Sequence, residues 1–205
     1  MKIAEAGVSF VAAGALLTVV SAALGAWLVA VPALVLTGYL SFFFRDPDRT
    51  TPEGDGLVIA PGDGRVLSVD AEGEHAHLSI FLGLLDVHVN RAPCSGRVVD
   101  VEHLRGEYLA AFRADAGERN EQCRVTIRTG AGDVTMQQVV GLAARRVEFW
   151  PEEGSDIQAG ERVGIMKFGS RIDLQLPAGT SFEVGEGDRL CAGETVLGRL
   201  PGAGS

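Results

Sequence analysis

Cysteine, lysine and aromatic side chains are scarce in this 205-residue chain. The three cysteines, Cys94, Cys123 and Cys191, show no CxxC spacing, which argues against a disulfide framework or a zinc site and favours reduced thiols in a cytosolic compartment. Aromatic residues make up 6% of the chain and glycine is abundant at 27 residues, a balance that favours short strands joined by tight turns. A formal net charge of −9 excludes a general nucleic-acid binder, because such a protein needs a basic surface.

Charge is absent from residues 7–44. One bilayer span needs about 20 apolar residues, so this run is long enough for two short helices with a turn near Gly25. Lys2 would then lie with Arg45 and Arg49 at the same, cytoplasmic side of the membrane. A single tilted span and a re-entrant hairpin are the alternatives. A removed signal peptide is not expected, because the apolar run continues past the small residues that would allow cleavage.

After the apolar run the character of the chain changes. Residues 46–56 form a linker rich in Pro, Gly and Asp. Beyond it, short apolar runs alternate with turn sequences such as PGDG, PCSG and TGAGD, whereas the stretch Glu107 to Ala116 has a helical pattern. The sequence therefore predicts a mainly β, α+β protein: an antiparallel β-rich domain over 57–205 with short helices, preceded by a hydrophobic helical hairpin over 1–45.

The dipeptide Gly169-Ser170 stands directly before a run, Ile172 to Leu176, that alternates apolar and polar residues like a half-buried strand. Gly169 has no side chain, so a neighbouring group can approach its carbonyl closely. The hydroxyl of Ser170 can attack that carbonyl if a base takes its proton and donors hold the oxyanion. An ordinary turn serine is the alternative that the local pattern leaves open.

Two further residues are candidates for proton transfer. His88 lies in DVHVNRAP, in an apolar alternation with Asp86 and Asn90. Histidine is the side chain best suited to move a proton near neutral pH, and a satisfied core histidine is the alternative. Asp63 lies in APGDGRV, where PGDG is also a turn sequence in its own right.

Other polar clusters give weaker signals. His75 and His77 point to one face of a predicted strand, but no Cys, Asp or Glu stands at a complementary spacing, so no metal site is predicted. Arg145 and Arg146 would point to opposite faces of a strand, so at most one of them lines a given pocket. That arginine is a phosphate contact or a plain surface charge.

Six segments appear in one order over about residues 42–177: FFFRDP, APGDGRV, DVHVNRAPCSG, GERNEQ, GLAARR and FGSRIDLQLP. This ordered set resembles the phosphatidylserine decarboxylase proenzyme family, in its shorter, membrane-associated branch. The later segment FEVGEGDRLCAGETVLG also fits the closing hairpin of that family.

The resemblance implies self-cleavage between Gly169 and Ser170, into a β subunit of residues 1–169 and an α subunit of residues 170–205. Ser170 would become a pyruvoyl group, the cofactor that forms a Schiff base with the substrate amine. The implied reaction decarboxylates phosphatidylserine, or archaetidylserine, to the ethanolamine phospholipid. The implied partners are that lipid, the cell membrane with the catalytic domain on its cytoplasmic side, the two cleaved subunits, and a second αβ unit in a homodimer.

The resemblance also implies residue roles. Asp63 is expected to orient a histidine that activates Ser170. Longer family members carry D-x-H-x-x-H, whereas this chain has Asp86, His88 and Arg91 at those positions. His88 is therefore the only histidine of the motif, and it is expected to serve self-cleavage, substrate protonation, or both. Four arginines are expected to contact the phosphate of the substrate: Arg45, Arg49, Arg145 and Arg146. Arg91 is a further residue expected at the substrate.

Two other functions fit parts of the sequence. GDRLCAGETVLG resembles the hammerhead turn of biotinyl and lipoyl carrier domains, although Lys167 lacks the sequence setting of a carrier lysine. An inactive, membrane-anchored family member is the second alternative. It would remain one chain of 21.6 kDa, whereas an active enzyme would consist of two fragments.

Overall fold

The computed structural model of the protein describes residues 2–113, 115–142, 147–167 and 169–202. The chain divides into two compact units, Met1–Asp48 and Arg49–Ser205. Apolar helices make up most of the first unit, and strands dominate the second. The predicted fold class, mainly β with an N-terminal hydrophobic helical pair, is confirmed.

The first unit is a pair of helices, α1 (Glu5–Ala23) and α2 (Trp27–Phe43). They are joined by a turn in which Gly25 has a φ of 71°, a left-handed conformation that favours glycine. β1 (Lys2–Ile3) and β2 (Arg45–Asp46) pair antiparallel, so the two ends of the helical pair lie side by side. The turn between the two helices lies at Gly25, where the sequence predicts it.

Both helices present apolar side chains outward. α1, with 19 residues, is long and apolar enough to cross a membrane, whereas α2 is apolar but shorter, with 17 residues. Leu16 and Leu28 are 66% and 94% exposed. The hydroxyl of Thr37 donates to the carbonyl of Ala33 at 2.7 Å, within its own helix. Internal satisfaction of this kind suits helices in an apolar solvent.

Among the residues that the structure describes, the second unit forms one eight-stranded and two three-stranded antiparallel sheets. The large sheet has the order β11-β7-β8-β9-β13-β5-β4-β15, and the others have the orders β10-β12-β6 and β14-β16-β3. The elements are β3 (Leu57–Ile59), β4 (Gly64–Asp70), β5 (His75–Leu82), β6 (Val89–Arg91), β7 (Gly96–Leu104), α3 (Ala116–Arg119), β8 (Gln122–Thr129), β9 (Gly132–Val139), β10 (Val147–Phe149), β11 (Asp156–Ile157), β12 (Arg162–Met166), β13 (Ser170–Pro177), β14 (Ser181–Phe182), β15 (Arg189–Leu190) and β16 (Val196–Arg199).

β13 lies inside the large sheet, paired with β5 on one side and β9 on the other. Its residues alternate between buried and half-buried positions, as the two-residue period of a strand requires. The buried positions pack into the hydrophobic core through Ile172, Leu174 and Leu176. The first residue of this well-held strand is Ser170.

The helix predicted at Glu107 to Ala116 is wrong. Glu107 forms a parallel bridge with Asn120. The side chain of Asn120 donates to the carbonyl of Leu109 at 2.8 Å and accepts from its N–H at 2.9 Å. These long-range contacts satisfy backbone groups that a helix would otherwise pair internally. The short helix α3 begins only at Ala116.

Candidate active site

Ser170 is fully buried at the start of β13. It pairs with Leu82 at the end of β5 and faces the same side of the strand as Ile172. Within the described parts of the chain, its Oγ has no hydrogen-bond partner. A buried hydroxyl without a partner costs stability, about 1–3 kcal/mol, which is typical of a functional position.

The carbonyl of Gly169 lies against the backbone of Gly141. Gly169 has a φ of 69°, in the left-handed region that favours glycine. A Cβ at position 141 would collide with the Gly169 carbonyl oxygen. The chain before Gly141 is fixed, because Asn120 donates to the carbonyl of Val140 at 2.8 Å. The bond predicted to be cut therefore lies where two chain segments approach closely at a glycine.

His88 lies directly before β6 and is buried. Its carbonyl accepts from the N–H of Met166 at 3.1 Å, which places it beside the segment that leads to Ser170. Its Nδ1 is 2.9 Å from the carbonyl oxygen of Asp86. A carbonyl oxygen only accepts, so Nδ1 carries the hydrogen and Nε2 is the basic atom of the neutral ring.

An amide pair that the sequence did not reveal lies in the same core. Gln138 on β9 donates through Nε2 to Oδ1 of Asn90 on β6 at 2.8 Å, and both side chains are fully buried. Gln138 is opposite Ile172 in the register of β9 and β13. It is therefore on the face of the sheet that carries Ser170.

Asp63 is held by two groups at the turn before β4. Its carboxylate accepts from Nη2 of Arg49, with both oxygens at 3.1 Å, and from the N–H of Ala192 at 2.8 Å. The side chains of Asp63 and Arg49 are each 14% exposed. The predicted role of Asp63 toward a histidine stays a prediction.

Arg49 joins Asp63 to the segment after β15. Its other terminal nitrogen, Nη1, contacts Sγ of Cys191 and Oε2 of Glu194, the latter at 3.1 Å. Burial lowers the pKa of Arg49, but Asp63, Cys191 and Glu194 outweigh this, so the pKa is raised. Burial, followed by the hydrogen bond to Glu194, raises the pKa of Cys191 to about 11. A protonated thiol at neutral pH agrees with the prediction of free cysteines.

The predicted substrate arginines are in different settings. Arg91 is 6% exposed, and its Nη1 donates to the carbonyl of Gly160 at 2.8 Å. Arg45 lies over the ring of Phe42, 3.8 Å from its centroid. Two others, Arg145 and Arg146, lie outside the described residues. The roles of all these arginines toward substrate stay predictions.

His75 and His77 lie on β5, with ring centroids 6.4 Å apart. Within the described residues, no group of three or more His, Cys, Asp and Glu side chains is placed to hold a metal ion.

Comparison with known proteins identifies the family. The model of the phosphatidylserine decarboxylase family matches residues 36–198. The chain belongs to this family. A phosphatidylserine decarboxylase proenzyme from Desulfotalea psychrophila is 39% identical over 208 residues, covering 98% of this chain and 97% of that protein. Proteins of the same name from Citrifermentans bemidjiense and Solibacter usitatus are 42% and 38% identical over 212 and 203 residues, each covering 97% of both chains.

Membership of the phosphatidylserine decarboxylase family confirms the predicted enzyme class, a carboxy-lyase made as a proenzyme. It also argues against the biotinyl or lipoyl carrier. Sequence reasoning missed Gly141, Asn90 and Gln138. The first stands in GLAARR, a segment whose arginines were the predicted functional residues, and the other two come together only where β6 of one sheet packs against β9 of another.

Proposed function

We propose that the chain cuts itself between Gly169 and Ser170, and that the cut protein decarboxylates phosphatidylserine to phosphatidylethanolamine. The observation that carries this proposal is the buried Oγ of Ser170, without a hydrogen-bond partner among the described residues, directly after a glycine carbonyl that is held against Gly141. Family membership supplies the reaction class.

Self-cleavage uses groups of this chain. Oγ of Ser170 attacks the carbonyl carbon of Gly169, the amide C–N bond breaks, and an ester forms. Loss of the α-proton of Ser170 then expels the Gly169 carboxylate and leaves a dehydroalanine at position 170. Water replaces its nitrogen, ammonia leaves, and a pyruvoyl group remains at the head of β13.

His88 is the proposed proton carrier. The hydrogen bond from its Nδ1 to the carbonyl of Asp86 leaves Nε2 to accept the proton of the Ser170 hydroxyl. In the mature enzyme the same nitrogen returns a proton to the substrate carbon after CO2 has left. Asp63 remains a proposed catalytic residue on the family resemblance alone, because its carboxylate is bound by Arg49 and the N–H of Ala192, and the Nδ1 hydrogen of His88 is donated to Asp86.

The residues around Ser170 fit a pyruvoyl group. Within the described residues the hydroxyl of Ser170 makes no hydrogen bond, so its conversion to a pyruvoyl group would break none. The buried position also excludes bulk water. The pyruvoyl carbonyl supplies the electron sink that decarboxylation of an amino acid needs. The apolar neighbours of the strand, Leu82 and Ile172, keep this carbonyl in a low-dielectric setting.

Four exposed apolar side chains, which form the rim, support a substrate drawn from a bilayer. The rim consists of Leu84, Leu85, Phe112 and Leu142, which are 52%, 66%, 65% and 74% exposed. Leu84 and Leu85 follow the end of β5 that pairs with Ser170, and Leu142 follows Gly141. Clustered exposed apolar residues mark interaction sites, and acyl chains are the apolar part of this substrate.

The helical pair gives the proposed membrane attachment. Apolar side chains cover the outside of α1 and α2, and Lys2 and Arg45 lie together at one end of the pair. The positive-inside rule then places that end on the cytoplasmic side. The catalytic unit follows this end in the chain, and we propose that it lies on the cytoplasmic side of the cell membrane. A homodimer of αβ units remains part of the proposal by family analogy.

Intact mass measurement of purified protein tests the proposal most directly. We expect two fragments whose boundary lies between Gly169 and Ser170, the smaller one with a blocked N-terminus and a carbonyl that reacts with a hydrazine probe. Ser170→Ala should remain one chain, because it lacks the attacking oxygen. One intact chain in fully active wild-type protein would contradict the proposal, and one intact chain without activity would favour the inactive family member.

A further inference from the structure

The buried amide pair of Asn90 and Gln138 has unused hydrogen-bonding capacity. Both side chains are 0% exposed, and one hydrogen bond joins them. Among the described residues, Nδ2 of Asn90 and Oε1 of Gln138 have no partner. Burying such an atom without a partner costs stability. A core pair that serves packing alone would be more stable as two apolar side chains.

The register of the large sheet places this pair near Ser170. Arg171 is opposite Val139 and Ile172 is opposite Gln138, so Gln138 is the diagonal neighbour of Ser170 on one face. Diagonal neighbours in an antiparallel pair are about 7–8 Å apart, within reach of a long side chain. Asn90 is two residues after His88, the proposed base, and Gln138 is on the face of the sheet that carries Ser170. The pair therefore lies between these two residues of the candidate site.

The unused atoms match a serine headgroup. Exchanging oxygen and nitrogen in both amides keeps the hydrogen bond between them and still leaves one NH2 donor and one carbonyl acceptor. A carboxylate accepts from the first, and an ammonium group donates to the second. Both protein groups are neutral, so the carboxylate that must leave is not stabilised by a full positive charge.

We infer that Asn90 and Gln138 form the site that recognises the α-amino and carboxylate groups of the serine headgroup. This inference rests on the proposed function. The pair would distinguish the substrate, a serine phospholipid, from the product, an ethanolamine phospholipid. Only the serine headgroup carries the carboxylate. Loss of the pair should therefore weaken substrate binding more than product binding.

The double variant Asn90→Leu/Gln138→Met tests this. It removes both amides together, so no buried polar group is left unpaired, and the fold is expected to tolerate it. We expect complete self-cleavage, a KM for phosphatidylserine at least tenfold higher, and a much smaller change in inhibition by phosphatidylethanolamine. Gln175→Met, on the opposite face of β13, is the matched control and should keep the wild-type KM.

A second readout does not depend on turnover. In the cut wild-type protein, glycerophosphoserine should slow labelling of the small-fragment carbonyl by a hydrazine more than glycerophosphoethanolamine does. The double variant should lose this preference while the carbonyl still labels. An unchanged preference and an unchanged KM would overturn the inference. Wild-type protein that has no reactive carbonyl would instead refute the proposed function.

Discussion

Glycines at positions 141 and 169 determine what the backbone can do at the proposed cleavage point. Gly169 needs its left-handed conformation, whereas Gly141 needs space, because a Cβ there would meet the carbonyl oxygen of Gly169. The two requirements differ physically. One concerns the torsion angles of a single residue, and the other concerns the distance between two segments that are far apart in sequence.

Gly141→Ala is expected to block or slow self-cleavage. The added methyl group would displace the carbonyl that Ser170 is proposed to attack, and an attack geometry is sensitive to shifts of about 1 Å, which cost on the order of 100-fold in rate. The measurement is the fraction of intact chain over time, by denaturing electrophoresis. Gly130→Ala is the control, since a Cβ there meets nothing within 4 Å. Equal cleavage rates in the two variants would contradict this role of Gly141.

Secondary-structure elements differ in how far local sequence determines them. The helical pair follows from an uncharged run with Gly25 at its turn, and β13 follows from its alternation of apolar and polar residues. The segment after Glu107 has a helical pattern, but Asn120 holds it through two hydrogen bonds to Leu109, a contact that local sequence does not encode. Tertiary hydrogen bonds overrode the local preference there.

Some residues of the candidate site can be predicted from local sequence, and others cannot. Ser170 and His88 stand in motifs whose chemistry is visible in the sequence, and the structure buries both. Gly141, Asn90 and Gln138 acquire meaning only through the pairing of β9 with β13 and of β6 with β12, which no local pattern specifies.

β13 would hold the small fragment in place after cleavage. The strand pairs along its length with β5 and over five residues with β9, and it buries Leu174 in the core. We expect the two fragments to elute together in native conditions and to separate only in denaturant. Leu174→Ala should weaken this association by about 2–5 kcal/mol, because it leaves a cavity in the core.

The measurement is the urea concentration that releases the small fragment from cut protein in detergent. Gln175→Ala, on the half-buried face of the same strand, should change this concentration little. Release of the small fragment from the wild type without denaturant would show that the strand does not hold it.

At the scale of the whole molecule, two apolar surfaces are proposed to contact lipid. The helical pair would attach the protein to the bilayer, and the rim would contact the bilayer while the substrate is drawn from it. These roles are separable by experiment. Loss of the rim should leave attachment intact, because the apolar outer faces of α1 and α2 are unchanged.

The double variant Phe112→Ser/Leu142→Ser is expected to lose at least tenfold in activity on phosphatidylserine in vesicles, because it removes two of the most exposed apolar side chains of the rim. Activity on a short-chain phosphatidylserine below its micelle concentration should stay at the wild-type level, since a dissolved lipid needs no bilayer contact. Self-cleavage and co-sedimentation with vesicles should also be unchanged. Trp150→Ser, another exposed apolar side chain of the same unit, is the control and should behave like wild type. Equal losses on the dissolved and the bilayer substrate would mean that the rim shapes the pocket itself and does not contact the membrane.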